Sequence, residues 1–192
     1  GGGDDEAAQT VTLTAASSDP GLIPDPTIEN GALSFAPLLD ASGTFEITIT
    51  ADDGQAANST ASTTFSIEVT PVNDPPTLAD IDNQAIDEDA ETQSLDLTFG
   101  PGGGADEVDQ TLTVTATSSN TALLDDPLVL TSKLEYVPVP NAQGVTTITV
   151  TVDDGQAEHS SVSKTFDVTV NSINDPPILA EIGDRSVQEG EG

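Results

Sequence analysis

The chain has no cysteine, so no disulfide can staple it and no thiolate site can bind metal or carry redox chemistry. Basic residues are almost as scarce. Lys133, Lys164 and Arg185 stand against 34 acidic residues, giving a formal net charge of −31. Nucleic-acid binding needs positive charge facing phosphate, and docking on anionic lipid needs it too; the balance argues against both. There is no tryptophan, and only five phenylalanines and one tyrosine, so any core must be built from Val, Ile, Leu and Ala. No apolar run approaches the length of a membrane span, and no direct membrane insertion of this segment is expected. A chain this acidic repels itself unless salt or bound divalent cations screen it.

What is present is a repeat. Asn73-Asp74-Pro75-Pro76 returns as Asn174-Asp175-Pro176-Pro177, and 175 − 74 gives a period of 101. The same offset aligns residues 1–91 with 102–192 without a gap, and 40 of those 91 pairs are identical. Shared runs include Gly-Gly-Gly (1–3, 102–104), Asp-Glu (5–6, 106–107) and Asp-Asp-Gly-Gln-Ala (52–56, 153–157), together with Glu88 and Glu189. This is the signature of a tandem array. Two prolines in succession cannot continue a β ladder, so each Asn-Asp-Pro-Pro marks a joint between units. The alignment divides the chain into residues 1–76, a unit lacking its first two strands; 77–177, a complete unit; and 178–192, the beginning of a third. It predicts that identical units continue at both ends.

Within each unit the pattern has period two. Val11, Leu13 and Ala15 alternate with threonines; Phe45, Ile47, Ile49 and Ala51 alternate with Thr44, Glu46, Thr48 and Thr50; Phe65, Ile67 and Val69 follow in the same way. β-branched threonine suits an exposed strand face and stays soluble without adding charge. In the second unit an interrupted extended segment (78–86) and strands near 94–99, 111–117, 128–131, 133–138, 144–152 and 163–171 are expected. About seven short strands with no helical periodicity predict an all-β fold of tandem antiparallel β-sandwich repeats. The expected core of the second unit is Leu95, Leu97, Phe99, Leu112, Val114, Ile148, Val150, Phe166, Val168 and Val170. His159 is the only histidine, aligns with Asn58 in a predicted loop and reads as a surface residue. No Ser-His-Asp spacing recurs, so nucleophilic catalysis has no residues to rest on and no enzyme is expected.

Val-Thr-Val-Asp-Asp-Gly (150–155), a final strand and then Ile-Asn-Asp-Pro-Pro (173–177) resemble the end of a cadherin repeat. Gln-Thr-Leu-Thr-Val-Thr-Ala (110–116) and Asn-Ala-Gln-Gly (141–144) bring the likeness closer to the bacterial cadherin-like and Ig-like repeats of large surface proteins and adhesins. The resemblance implies calcium between successive units. At the first joint Asn73 and Asp74 would meet Asp106, Glu107 and one of Asp153 and Asp154 at the tip of the second unit. Of that pair Asp154 is favoured, because alternation puts Val152 inward and Asp153 on the outer face. At the second joint Glu88 would meet Asn174 and Asp175. Calcium takes six to eight oxygens, and no single short loop here supplies that many. Pro75 and Pro176 stand where cadherin linkers carry a second asparagine, and the mid-domain acidic motif has only Asn141 near its place. One or two ions per joint are therefore expected.

By that resemblance the chain is a structural segment of an extracellular or cell-surface fibre, stalk or adhesin. Its partners would be neighbouring repeats and other copies of itself. The alternatives are a calcium-dependent carbohydrate- or protein-binding module, against which the few aromatics weigh for sugars, and an accessory domain of a secreted enzyme.

Overall fold

The computed structural model describes residues 9–190, so the Gly-rich, acidic opening loop expected at 1–8 lies outside the described residues. The first unit begins with β1 (Thr12–Ser17), β2 (Thr27–Glu29), β3 (Ala32–Ser34), β4 (Gly43–Asp52) and β5 (Thr60–Val69). β1, β4 and β5 form one antiparallel sheet in that order, and β2 pairs with β3. Threonine hydroxyls link neighbouring strands on the outer face, Thr48 to Thr64 at 3.0 Å and Thr50 to Ser62 at 2.9 Å. Cross-strand pairs of this kind stabilise a solvated sheet face without apolar surface.

The second unit comprises β6 (Thr77–Leu78), β7 (Gln84–Asp87), β8 (Gln93–Asp96), β9 (Phe99–Gly100), β10 (Thr113–Ser118), β11 (Leu128–Leu130), β12 (Lys133–Tyr136), β13 (Gly144–Asp153) and β14 (Ser161–Asn171). One sheet runs β10-β13-β14-β7 and the other β11-β12-β8, with β6 and β9 forming a short ribbon. Between the sheets lie Leu78, Ile86, Leu97, Leu123, Leu124, Leu134, Tyr136, Ile148, Val150, Val152, Phe166, Val168 and Val170, all buried. Leu95, Phe99, Leu112 and Val114 pack partly buried against them. From Thr146 to Val152 in β13 and from Phe166 to Val170 in β14, each two-residue step returns a β-branched or aromatic side chain to this face.

Two expectations are corrected. The sandwich is not wholly antiparallel, because β7 runs parallel to β14, pairing Val168 with Gln84 through Asn171 with Asp87. The segment between β6 and β7 lets the chain leave its pairing with β9 and cross to the other sheet. The single strand expected at 94–99 is also two: β8 pairs with β12 and β9 with β6. The chain changes partners at Leu97 and Thr98, whose N–H and C=O bond to Ser132 and Ala79 respectively.

The first unit is thinner than its alternation predicts. Its buried cluster is only Ile23, Phe45 and Ile47, and Val11, Leu13 and Phe65 are exposed instead of facing a core. The reason is positional. Nothing in the described residues stands where β7 and β8 stand in the second unit, so one flank and part of the opposing layer are open. The turns repeat faithfully. Gly54 and Gly155 take φ of 74° and 75°, and their N–H groups donate to Asp52 and Asp153 Oδ1 at 2.7 Å. Those φ values are easy only for glycine.

Candidate functional site

The chain leaves β5 and crosses to the second unit through Pro71–Pro76, and the side chains of that linker are tied to the second unit's tip. Asn73 Nδ2 donates to Asp154 Oδ2 at 3.1 Å and to the carbonyl of Glu158 at 2.9 Å, while Gln110 Nε2 donates to Asn73 Oδ1 at 2.7 Å. An amide suits this place because it gives and accepts at once; a carboxylate there would have nothing to offer Asp154. Asp154 is buried, 5% exposed, and its other oxygen accepts from the Gln156 N–H at 2.9 Å. Asp153, one residue earlier, spends its Oδ1 on the Gly155 turn. The two aspartates thus have different surroundings: one anchors the linker, the other shapes the hairpin.

Glu107 lies in the tip loop between β9 and β10 and is 2% exposed. Its Oε1 accepts from the Asp74 N–H at 2.6 Å, and its Oε2 is buried with no hydrogen-bond partner. A buried carboxylate oxygen without a partner is costly, and it marks a place where a proton, water or cation is wanted. The loop can approach this closely because residues 102–104 are glycines. A Cβ at Gly103 would sit 2.7 Å from Asp74 Oδ2 and 2.8 Å from Glu107 Oε2, and one at Gly102 would strike the Pro75 carbonyl. Gly104 packs the same way against the Asp40 backbone, where a Cβ would lie 2.7 Å from the carbonyl oxygen and 3.3 Å from Asp106 Oδ1.

Asp40 was not among the residues singled out from the sequence. It lies in the loop before β4, has φ of 58° and aligns with Asn141, which shares that φ. Its carboxyl is raised above the ordinary range by withdrawal from water, then by the charge of Asp74 and a hydrogen bond with it, then by the charge of Asp106. Asp40, Asp74 and Asp106 also line one cavity of about 320 Å³ beside Pro71 and Val72. A signal was available: the 101-residue offset carries Asn141, nearest the cadherin mid-domain motif, back onto an aspartate.

The predicted ligands are therefore brought together only in part. Asn73, Asp74, Asp106, Glu107 and Asp154 meet at the first joint, with Asp153 turned to the hairpin. Among the described residues no three or more His, Cys, Asp or Glu side chains stand close enough to hold a metal ion as they are. At the second joint Glu88 is 6% exposed and accepts from the Ile173 N–H at 2.9 Å. Asn174 and Asp175 are exposed; Asn174 Nδ2 donates to the Asp175 carbonyl at 3.1 Å, as Asn73 does to Asp74 at 3.3 Å. No hydrogen bond joins either of them to the Glu88 side chain among the described residues. His159 is exposed.

The fold is a cadherin-like, Ig-like β-sandwich. Protocadherin Gamma B2 extracellular cadherin domains 1–5 superpose with a TM-score of 0.52 at 13% identity, over 86% of this chain and 34% of that one. The cis-dimer structure of protocadherin gammaB7 EC3–6 gives 0.51 at 16% identity, over 84% and 40%. At these identities the likeness is one of fold. In sequence, Integrin beta-like protein A of Dictyostelium discoideum is 27% identical over 173 residues, 80% of this chain, and the chain spans 9% of that protein's length. No protein-family profile matches the chain. Among the described residues no helix is long and apolar enough to cross a membrane.

Proposed function

We propose that this chain is a non-enzymatic structural segment of an extracellular fibre, stalk or adhesin, built from repeats of the bacterial cadherin-like kind whose joints are stiffened by calcium. The observation that supports it is the partnerless, buried Oε2 of Glu107, set beside Asp74 Oδ2. With Asp106 and Asp40 flanking it, the joint gathers carboxylates that repel one another in the absence of a cation. The residue types fit a hard divalent cation, which takes carboxylate, amide and backbone oxygens and needs no sulfur or imidazole. Glu107, Asp74 and Asp106 would hold it after small side-chain rotations. Asn73 and Asp154 would keep the linker seated with or without it. Bound calcium would neutralise the joint and fix the angle between units, so that a long array transmits force as a rod.

The test is calcium titration of the intact chain, followed by small-angle scattering and 15N relaxation. Saturation should stiffen residues 71–76 and leave each sandwich's own relaxation unchanged, with an affinity of about 10⁻⁴ to 10⁻³ M as in extracellular modules. Asp74→Ala should reproduce the calcium-free behaviour. If interdomain motion responds to neither calcium nor Asp74→Ala, the joint is stiffened by its prolines and the reading fails.

A further inference from the structure

Asn58-Ser59-Thr60 is the only place in the chain where an asparagine has a hydroxyl residue two positions on and no proline between. The other seven asparagines lack that hydroxyl, among them Asn30 before Gly31-Ala32 and Asn174 before Asp175-Pro176. Asn-X-Ser/Thr is the acceptor pattern for attaching an oligosaccharide to the asparagine amide. In a chain rich in threonine such a triplet can arise by chance, so what decides is where the fold puts it.

The fold puts it at the tip of the β4–β5 hairpin. The Asp53 N–H donates to the Ser59 carbonyl at 3.0 Å and closes the loop, and Thr60 opens β5 opposite Asp52. Asn58 has φ of 54°, a left-handed conformation that asparagine tolerates better than most residues. Asn58 and Thr60 are both exposed, so amide and hydroxyl are open together to an enzyme. This exposure belongs to the hairpin and does not depend on what precedes the unit. His159 holds the same place in the second unit, with φ of 53°, and is exposed although a linker and a unit stand before it. There the hairpin meets the linker with its backbone: Asn73 Nδ2 donates to the Glu158 carbonyl at 2.9 Å and to that of His159 at 3.4 Å. The side chain at this place is left to solvent, so a bulky group can stand there without unseating a linker.

We propose that Asn58 carries an N-linked oligosaccharide. The inference rests on the extracellular reading above, because the sugar donor and its transferase act on chains being exported across a membrane. The donor class is an oligosaccharide on a polyprenyl pyrophosphate. The bond from the sugar C1 to the pyrophosphate oxygen breaks and its electron pair leaves with the pyrophosphate. C1 bonds to Asn58 Nδ2, which gives up one proton to a base of the transferase. The second unit has His159-Ser160-Ser161 at this place and offers no amide, so the modification marks one of the two units. No core residue takes part, and both units fold with or without it.

The test is made on the protein recovered from the cells that produce it, separately from their surface and their interior. Cleavage before aspartates releases residues 53–73, and electron-transfer fragmentation of that peptide should place whole sugar residues on Asn58. In the same cells Asn58→Gln and Thr60→Ala should each abolish the modification. Ser59→Ala alters the same turn but keeps the pattern, and should retain it. A bare Asn58 in every fraction overturns the proposal. If that bare chain lies at the cell surface, the extracellular reading stands; if it lies only inside, that reading falls too. Sugar found on serine or threonine in place of Asn58 also overturns the proposal, as does modification of Asn58 that persists in Thr60→Ala.

Discussion

Phe65 and Phe166 are the same residue of the repeat, 101 positions apart at the same point of homologous strands, yet Phe65 is 38% exposed and Phe166 2%. The difference lies in what surrounds them: β7 flanks β14 and β8 contributes to the facing sheet, and neither has a counterpart in the described part of the first unit. Removing the two rings should therefore have unequal effects. Phe166→Ala should destabilise the second unit by about 3–5 kcal/mol, the range for emptying a packed aromatic site. Phe65→Ala should cost roughly 1–2 kcal/mol, because much of that ring is already in water. Urea unfolding followed by residue-resolved NMR separates the two units and measures both values.

Asn73 holds the linker by hydrogen bonds, whereas the proposed role of Asp74 is through an ion. Asn73→Asp keeps the shape, removes both amide donors and sets a second carboxylate against buried Asp154. The expected loss is about 1–3 kcal/mol of linker docking. It should appear as faster 15N relaxation at 71–76 in EDTA and in calcium alike. Asp74→Ala should alter that relaxation only when calcium is present.

Gly102 carries the tip loop directly over the Pro75 carbonyl. Gly102→Ala cannot be accommodated without moving one backbone or the other, at a cost of roughly 1–3 kcal/mol. The displacement should lift Glu107 from the Asp74 N–H and expose it. Hydrogen exchange at that amide should accelerate, while exchange in β13 and β14 stays as it was.

The carboxyl of Asp40 is raised in the folded chain. The sign follows from linkage: its contribution to stability is fully present below its unfolded value near 3.8 and is lost as pH rises through the higher folded value. In EDTA the contact between the Asp40 loop and the tip loop of the second unit should therefore tighten on mild acidification. Asp40→Asn should remove that dependence and leave the joint at neutral pH closer to its acid form. Calcium held beside Asp40 by Asp74 and Asp106, as proposed, offsets their negative charge and should lower the Asp40 midpoint, which carboxyl 13C shifts would follow directly.

Much of this was legible in the chain itself. The 101-residue offset, the period-two alternation of Phe, Ile and Val with Thr, and the Asp-Asp-Gly turns determine the strands and their ends, because each is a local property that a pleated backbone reads residue by residue. The linker and its Asn-Asp pair were legible for the same reason. What only the tertiary structure decided depends on residues far apart in sequence. It made β7 parallel to β14 and broke the 94–99 segment between two sheets. It brought Asp40 to the joint and left Glu107 Oε2 without a partner. It also set Phe65 in water while burying Phe166, although the two strands carry nearly the same pattern. Alternation tells a side chain which face of its own strand to take; whether anything lies opposite that face is settled by the other strands present.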